Sequence, residues 1–145
     1  MSTVPQDFDS EQEQLHEQER AHNVSLEISN TMVRLYKEQF GRGPTKARTH
    51  WGGQDLITVV LEDTLTPAER NLVKMGEHQR LRDLRLFFQY ASVREFVAPV
   101  EAITGRTVRA FFSSIDTEVD GISIETFALY PKGQEGPSRA EHAET

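Results

Sequence analysis

Apolar residues recur at intervals of three and four over the second half of the first forty positions. Val24, Ile28, Met32, Leu35, Tyr36 and Phe40 fall on one stripe, the signature of an amphipathic helix. Gly41 follows as a left-handed stop. Upstream the stripe thins to Leu15 and Ala21, although Ser10 and Glu13 have capping-box spacing. A helix drawn from residue 11 to residue 40 would be roughly 45 Å long. A core of about 100 residues has a radius of gyration near ~13 Å, so the first half of that helix cannot all lie on it. It frays, pairs with a second copy or docks elsewhere, and its poverty in apolar residues favours fraying.

The period then changes to two. Residues 45–51 and 55–62 flank Gly52 and Gly53 and read as a β-hairpin. A two-residue Gly52-Gly53 turn sets Lys46, Arg48 and His50 on the face of Ile57 and Val59. A three-residue Gly52-Gly53-Gln54 loop groups Ala47, Thr49 and Trp51 with Ile57, Val59 and Leu61. The second register gives one apolar face and is preferred, because a one-residue slip exchanges the faces. It asks Gln54 to adopt a left-handed backbone.

Thr66, Pro67 and Glu69 form an N-cap, an N1 proline and a closed capping box. That helix stops at Gly76. Another runs from near Glu77 to about Thr104, with Gly105 as terminator. Leu81, Leu84, Phe88, Ala91, Phe96, Val100 and Ile103 supply its core face, and Pro99 must kink or divide it near Val97. Residues 106–115 and 122–130 read as a second hairpin, and Pro131 stops it.

The plan is α-β-β-α-α-β-β, an α+β fold with an antiparallel four-stranded sheet of two hairpins and helices on one face. Residues 1–22 are an acidic, flexible lead, of which 1–9 read as disordered. Residues 23–131 are one domain, and 132–145 a disordered tail. The other sheet face carries Lys46, Arg48, His50, Leu56 and Val60, together with one of the adjacent Phe111 and Phe112. An apolar second face points to a homodimer or a protein partner.

Charge sharpens this picture. Of the 145 residues 27% are charged and the net charge is -7. Residues 1–20 hold six acids against Arg20 alone, whereas residues 21–131 are almost balanced, with 13 bases and 14 acids. The acidity belongs to the lead, and a near-neutral core argues against nucleic-acid binding. No run approaches the ~20 apolar residues of a membrane span, and residues 1–10 have no secretory h-region. With no cysteine, disulfides, thiolate nucleophiles and cysteine-ligated metals are excluded, in keeping with a cytoplasmic location.

Candidate chemistry is sparse. The stretch from Phe40 to Arg48 contains three bases, two glycines and no acid. Arg42, Gly43, Thr45, Lys46 and Arg48 could hold a small anion through freed backbone N–H groups and cationic side chains. It is not a P-loop, which a helix follows, and each residue also has a plain role in a helix stop, a turn or a dipole interaction. The five histidines make no ligand spacing. Asp116, Glu118 and Asp120 mimic a calcium loop but lack its closing glutamate. Arg70, Lys74, Arg80, Arg82, Arg85 and Arg94 read as a solvated basic stripe on the central helices. No nucleophile has an inferable base, so enzymatic activity is not expected and no cofactor is called for.

Several stretches taken together resemble the MpsC-like family of small bacterial proteins. They are Ile28 to Asn30, Val33 to Glu38, Phe40 to Ala47, Leu65 to Arg70, Glu95 to Val97 and Ile103 to Arg106. The match covers about residues 23–131. It departs at Pro99, where a helix former is expected, and in the long acidic lead. The family is named for a sodium-translocating, membrane-potential-generating system whose membrane components are linked to inorganic-carbon uptake. The resemblance implies a cytosolic accessory or regulatory protein that binds a membrane transport partner without inserting into the membrane, and it transfers no catalytic residue. The alternative is a small-anion or nucleotide sensor built on the turn from Gly41 to Arg48.

Overall fold

The computed structural model describes residues 6–142. Residues 1–5 of the lead and 143–145 of the tail lie outside the described residues. Eight main elements follow in order: α1 (Gln6–Phe40), β1 (Lys46–Trp51), β2 (Leu56–Glu62), α2 (Pro67–Lys74), α3 (His78–Ala91), α4 (Val93–Thr104), β3 (Val108–Ile115) and β4 (Ser123–Leu129), with a short 3₁₀ turn at Arg139–His142. The fold is α+β, with one antiparallel sheet in the order β1-β2-β4-β3. The hairpins stand side by side with their second strands joined at the centre.

In the first hairpin Ala47, Thr49 and Trp51 face Leu61, Val59 and Ile57, the grouping that the three-residue register requires. The loop lies one residue further along than expected. The Gly52 N–H bonds the Leu56 carbonyl at 2.9 Å, which leaves residues 53–55 as the loop. Gly53, at φ 72°, takes the left-handed position, so Gln54 is spared it. Ile57, Val59 and Leu61 are buried beneath α1 and α4 with Phe111, Phe127 and Leu129. Phe111 and Phe96 stack with ring centres 5.7 Å apart.

α1 is continuous from Gln6, earlier than the Ser10 capping box suggests. Its side chains become buried only from Ile28 onward, where Ile28, Met32, Leu35 and Tyr36 face the sheet. The long central helix divides at Ser92, and not near Val97. Ser92 has ψ 24° and its N–H bonds the Gln89 carbonyl three residues back. Pro99 lies inside α4. It removes one backbone donor, and the buried Phe96, Val97 and Val100 on either side hold the helix through it.

The tail beyond Pro131 is laid against the body through residue 141. Tyr130 donates its hydroxyl to the Pro137 carbonyl, Ser138 donates to Glu101, and Ala140 packs on the core.

The connection from β2 to α2 seats against the second hairpin. Thr64 donates to the Gly121 carbonyl, and a Cβ on Gly121 would stand 2.5 Å from the Leu65 side chain. Gly121 also has φ 74°. Both constraints forbid a side chain, so Gly121→Ala is expected to cost about 2 kcal/mol or more, read as a lowered midpoint in urea unfolding.

Candidate functional site

α3 does not bury the residues its apolar spacing suggests. Leu84 and Phe88 are about half exposed and Ala91 faces solvent, while Leu81, Arg85 and Gln89 are buried. The helix is turned so that a polar stripe faces inward, and the reason lies on its neighbours. Glu69 on α2 and Glu125 on β4 are both buried carboxylates, and a buried charge must be paired or neutralised.

Arg85 answers the first. Its Nε donates to Glu69 Oε2 at 2.5 Å and its Nη2 to Glu69 Oε1 at 2.8 Å. Nη2 also donates to the Thr64 carbonyl, and the guanidinium lies 4.1 Å from the centre of the Phe40 ring. Glu69 meanwhile accepts the Thr66 backbone N–H that closes the capping box. Burial pushes the Glu69 carboxyl up, but Arg85 and the Thr66 N–H pull it further down, and it stays below its usual value.

Glu125 is met differently. Its Oε1 accepts from Tyr36 Oη at 2.5 Å, Gln89 Nε2 at 2.8 Å and Ser113 Oγ at 3.0 Å. Its Oε2 has no partner. Burial dominates these donors and raises the carboxyl from its usual 4.5 to about 8. Burial and the neighbouring Glu125 likewise hold the Tyr36 hydroxyl well above 10. At neutral pH the cluster therefore contains one ion pair and one neutral acid.

A carboxyl near 8 beside a tyrosine resembles acid–base machinery. Here its polar neighbours bond one another, and neither Glu125, Gln89 nor Arg85 exposes any surface. Of the two buried carboxylates, Glu125 is sealed from solvent, and Glu69 lines a surface groove between α1, α2 and α3. None of this cluster was visible as a site in the sequence. Arg85 reads there as one more base on a solvated stripe. The available signal was the alternation in β4, which places Glu125 on the inward face with Phe127.

The five candidate anion ligands are placed as follows. Arg42 donates to the carbonyls of Asp63 and Leu65, each at 2.8 Å, and pairs with Asp63 Oδ2 at 2.7 Å. Arg42, together with Arg70, holds the Asp63 carboxyl below its usual range. Gly43 packs against Val33, and the Thr45 N–H bonds the Glu62 carbonyl. Lys46 and Arg48 are exposed on the outer face of β1. The structure thus brings Lys46 and Arg48 together and turns Arg42 to Asp63. In the acidic loop, Asp116 and Asp120 each accept a backbone N–H two residues on, from Glu118 and Ile122, which are Asx turns.

The outer sheet face is uncovered. Across it run the rows Arg48, Val60, Ile124, Ser114; then His50, Thr58, Thr126, Phe112; then Leu56, Ala128, Ala110. Phe112 is 57% exposed, and Leu56 and Ile124 also reach solvent. Apolar and threonine side chains fill the middle, and Lys46, Arg48 and His50 border the β1 edge.

Fold and surfaces together define a small α+β domain with a closed polar core and an open apolar sheet face. The chain belongs to the MpsC family, described as the Na+-translocating membrane potential-generating system (MpsC), whose model matches residues 20–130. No curated protein and no solved structure matches it. Among the described residues no helix is long and apolar enough to cross a membrane.

Two outcomes test the core. Between pH 4.5 and about 8 the unfolded chain has released the Glu125 proton and the folded chain keeps it. Stability therefore falls as pH rises through that window, by on the order of a few kcal/mol. Glu69 and Asp63, held low, contribute in the opposite sense and lose their contribution in acid. Urea unfolding is expected to show greatest stability near the acid end of the window, and Glu125→Gln to flatten the descending limb. Arg85→Met leaves Glu69 buried without its partner and is expected to cost about 3–5 kcal/mol. Adding Glu69→Gln should recover part of that loss, as a double-mutant cycle would measure.

Proposed function

We propose that this protein is a cytosolic accessory or regulatory protein that works by binding other proteins, as a homodimer and as a docked component of a membrane ion or bicarbonate transport system. The observation that carries the reading is the outer sheet face. A four-stranded sheet with Leu56, Phe112 and Ile124 turned to water presents an apolar centre, and its basic border of Lys46, Arg48 and His50 suits an acidic rim on a partner. The family description, which names a membrane potential-generating system, supplies the kind of partner. The closed core around Glu125 gives catalysis no support.

A second reading, a small-anion or nucleotide sensor using Arg42, Gly43, Thr45, Lys46 and Arg48, rests on Lys46 and Arg48, which form no ion pair among the described residues. It predicts a rise in melting temperature with bicarbonate or phosphate that Arg48→Ala abolishes.

The test of the first reading is membrane association in the host cell. The tagged wild-type chain is expected to sediment with membranes that contain the sodium-translocating proteins. A Phe112→Asp, Ile124→Asp double variant should stay in the supernatant with unchanged circular dichroism. Equal recovery of the two proteins in the membrane fraction would overturn the assignment of that face.

A further inference from the structure

The first half of α1 leaves the body of the protein. Every side chain from residue 8 to residue 23 is exposed. A free helix of that length is marginal in water, so a continuous α1 calls for a surface laid against it. The segment also has a definite apolar side. Phe8, Leu15 and Leu26 are 55%, 58% and 51% exposed, and spacings of seven and eleven residues return to one side of a helix. That side is opposite the one on which Ile28, Met32 and Leu35 meet the core. Asp9, Glu11, Glu13, Glu17 and Glu19 surround this ridge, with Arg20 the only base in the first twenty residues.

At the far end of the same helix a groove of about 230 Å³ opens between α1, α2 and α3, walled by Phe40, Leu72, Leu84 and Phe88. Phe87, beside it on α3, is largely exposed. Gln39 also lines the groove, and its Oε1 has no hydrogen-bond partner. Arg34, Lys37 and Lys74, on the α1 and α2 that form the walls, make no ion pair among the described residues.

We propose that α1 of a second copy lies antiparallel to α1, and that its acidic N-terminal segment, led by Phe8, occupies this groove, each copy giving its arm to the other. Three features agree on that occupant. The arm is strongly acidic, and the one charged residue of the groove lining, Glu69, is already held by Arg85. Arg34, Lys37 and Lys74 stand unpaired on the two helices that form the walls, so the helices that receive the arm offer it free cations. Phe8 and Leu15, one heptad apart, have the spacing of anchors in helix-in-groove recognition. The groove lies at the C-terminal end of the very helix whose N-terminus is the arm. Antiparallel pairing therefore sets both arms on both grooves at once and closes as a two-fold dimer. This contact rests on the homodimer proposed above and gives it a place away from the outer sheet face, which stays open to the membrane partner and is tested separately.

The chain has no cysteine, which allows a direct test on the full-length protein. Phe8→Cys and Leu84→Cys variants, each exposed at the altered position, are mixed and treated with a short bismaleimide. A cross-linked dimer is expected in the mixture and not in either variant alone, because the two-fold axis sets like residues far apart. Light scattering should report a wild-type dimer that weakens as salt is raised. Phe8→Glu should raise its dissociation constant about tenfold or more, with unchanged circular dichroism. A wild-type monomer would overturn the proposal. So would a dimer that Phe112→Asp dissociates and Phe8→Glu does not, since the contact would then lie on the sheet.

Discussion

The guanidinium of Arg85, wholly removed from water, is the constraint around which the helical layer is arranged. An unpaired charge in that position would cost several kcal/mol, a large part of the fold's margin of stability. Its surroundings are a bidentate carboxylate from α2, the Thr64 carbonyl from the turn before α2, and the Phe40 ring from the end of α1, with Nη1 left without a hydrogen-bond partner. Three separate stretches of chain are thus fixed relative to α3 by one side chain. Pairing Arg85 with Glu69 also decides how Glu125 is accommodated. With the nearest cation already engaged, the second buried carboxyl is held by neutral donors from Tyr36, Gln89 and Ser113 and keeps its proton.

The β2–α2 turn joins this core to the periphery. Arg42 reaches it from beyond α1 and takes the carbonyls of Asp63 and Leu65, while Arg85 takes that of Thr64 from below. Thr64 in turn donates to Gly121 in the second hairpin. A non-glycine residue at φ 55°, Asp63, is tolerated here because Arg42 and Arg70 both hold its carboxylate. The basic segment after α1 therefore has an architectural task at Arg42 and exposed cations at Lys46 and Arg48.

Much of this was legible in the chain because it follows from local rules. Period-two alternation placed Ile57, Val59 and Leu61 inward, and the Thr66–Glu69 capping box appears with both of its hydrogen bonds. What was not legible depends on partners distant in sequence. Apolar spacing on α3 favours Leu84 and Phe88 as core, yet burial goes to Arg85 and Gln89. The preference is set by carboxylates that lie on α2 and β4, and no periodicity within α3 records them. The division at Ser92 escaped for a similar reason. A proline is the obvious local breaker, but packing around Pro99 outweighs one missing donor, and the chain bends where a serine can close a tighter turn.

One carboxylate, that of Glu69, serves two masters. Its Oε1 accepts both the Thr66 amide that starts α2 and the Nη2 of Arg85 on α3. A helix of eight residues would ordinarily be among the first elements to fray. Here the first turn of α2 cannot open without uncovering the positive charge at the centre of the helical layer. The shortest helix is thereby made part of the same cooperative unit as the core, and its amide protons should exchange with solvent on the timescale of global unfolding.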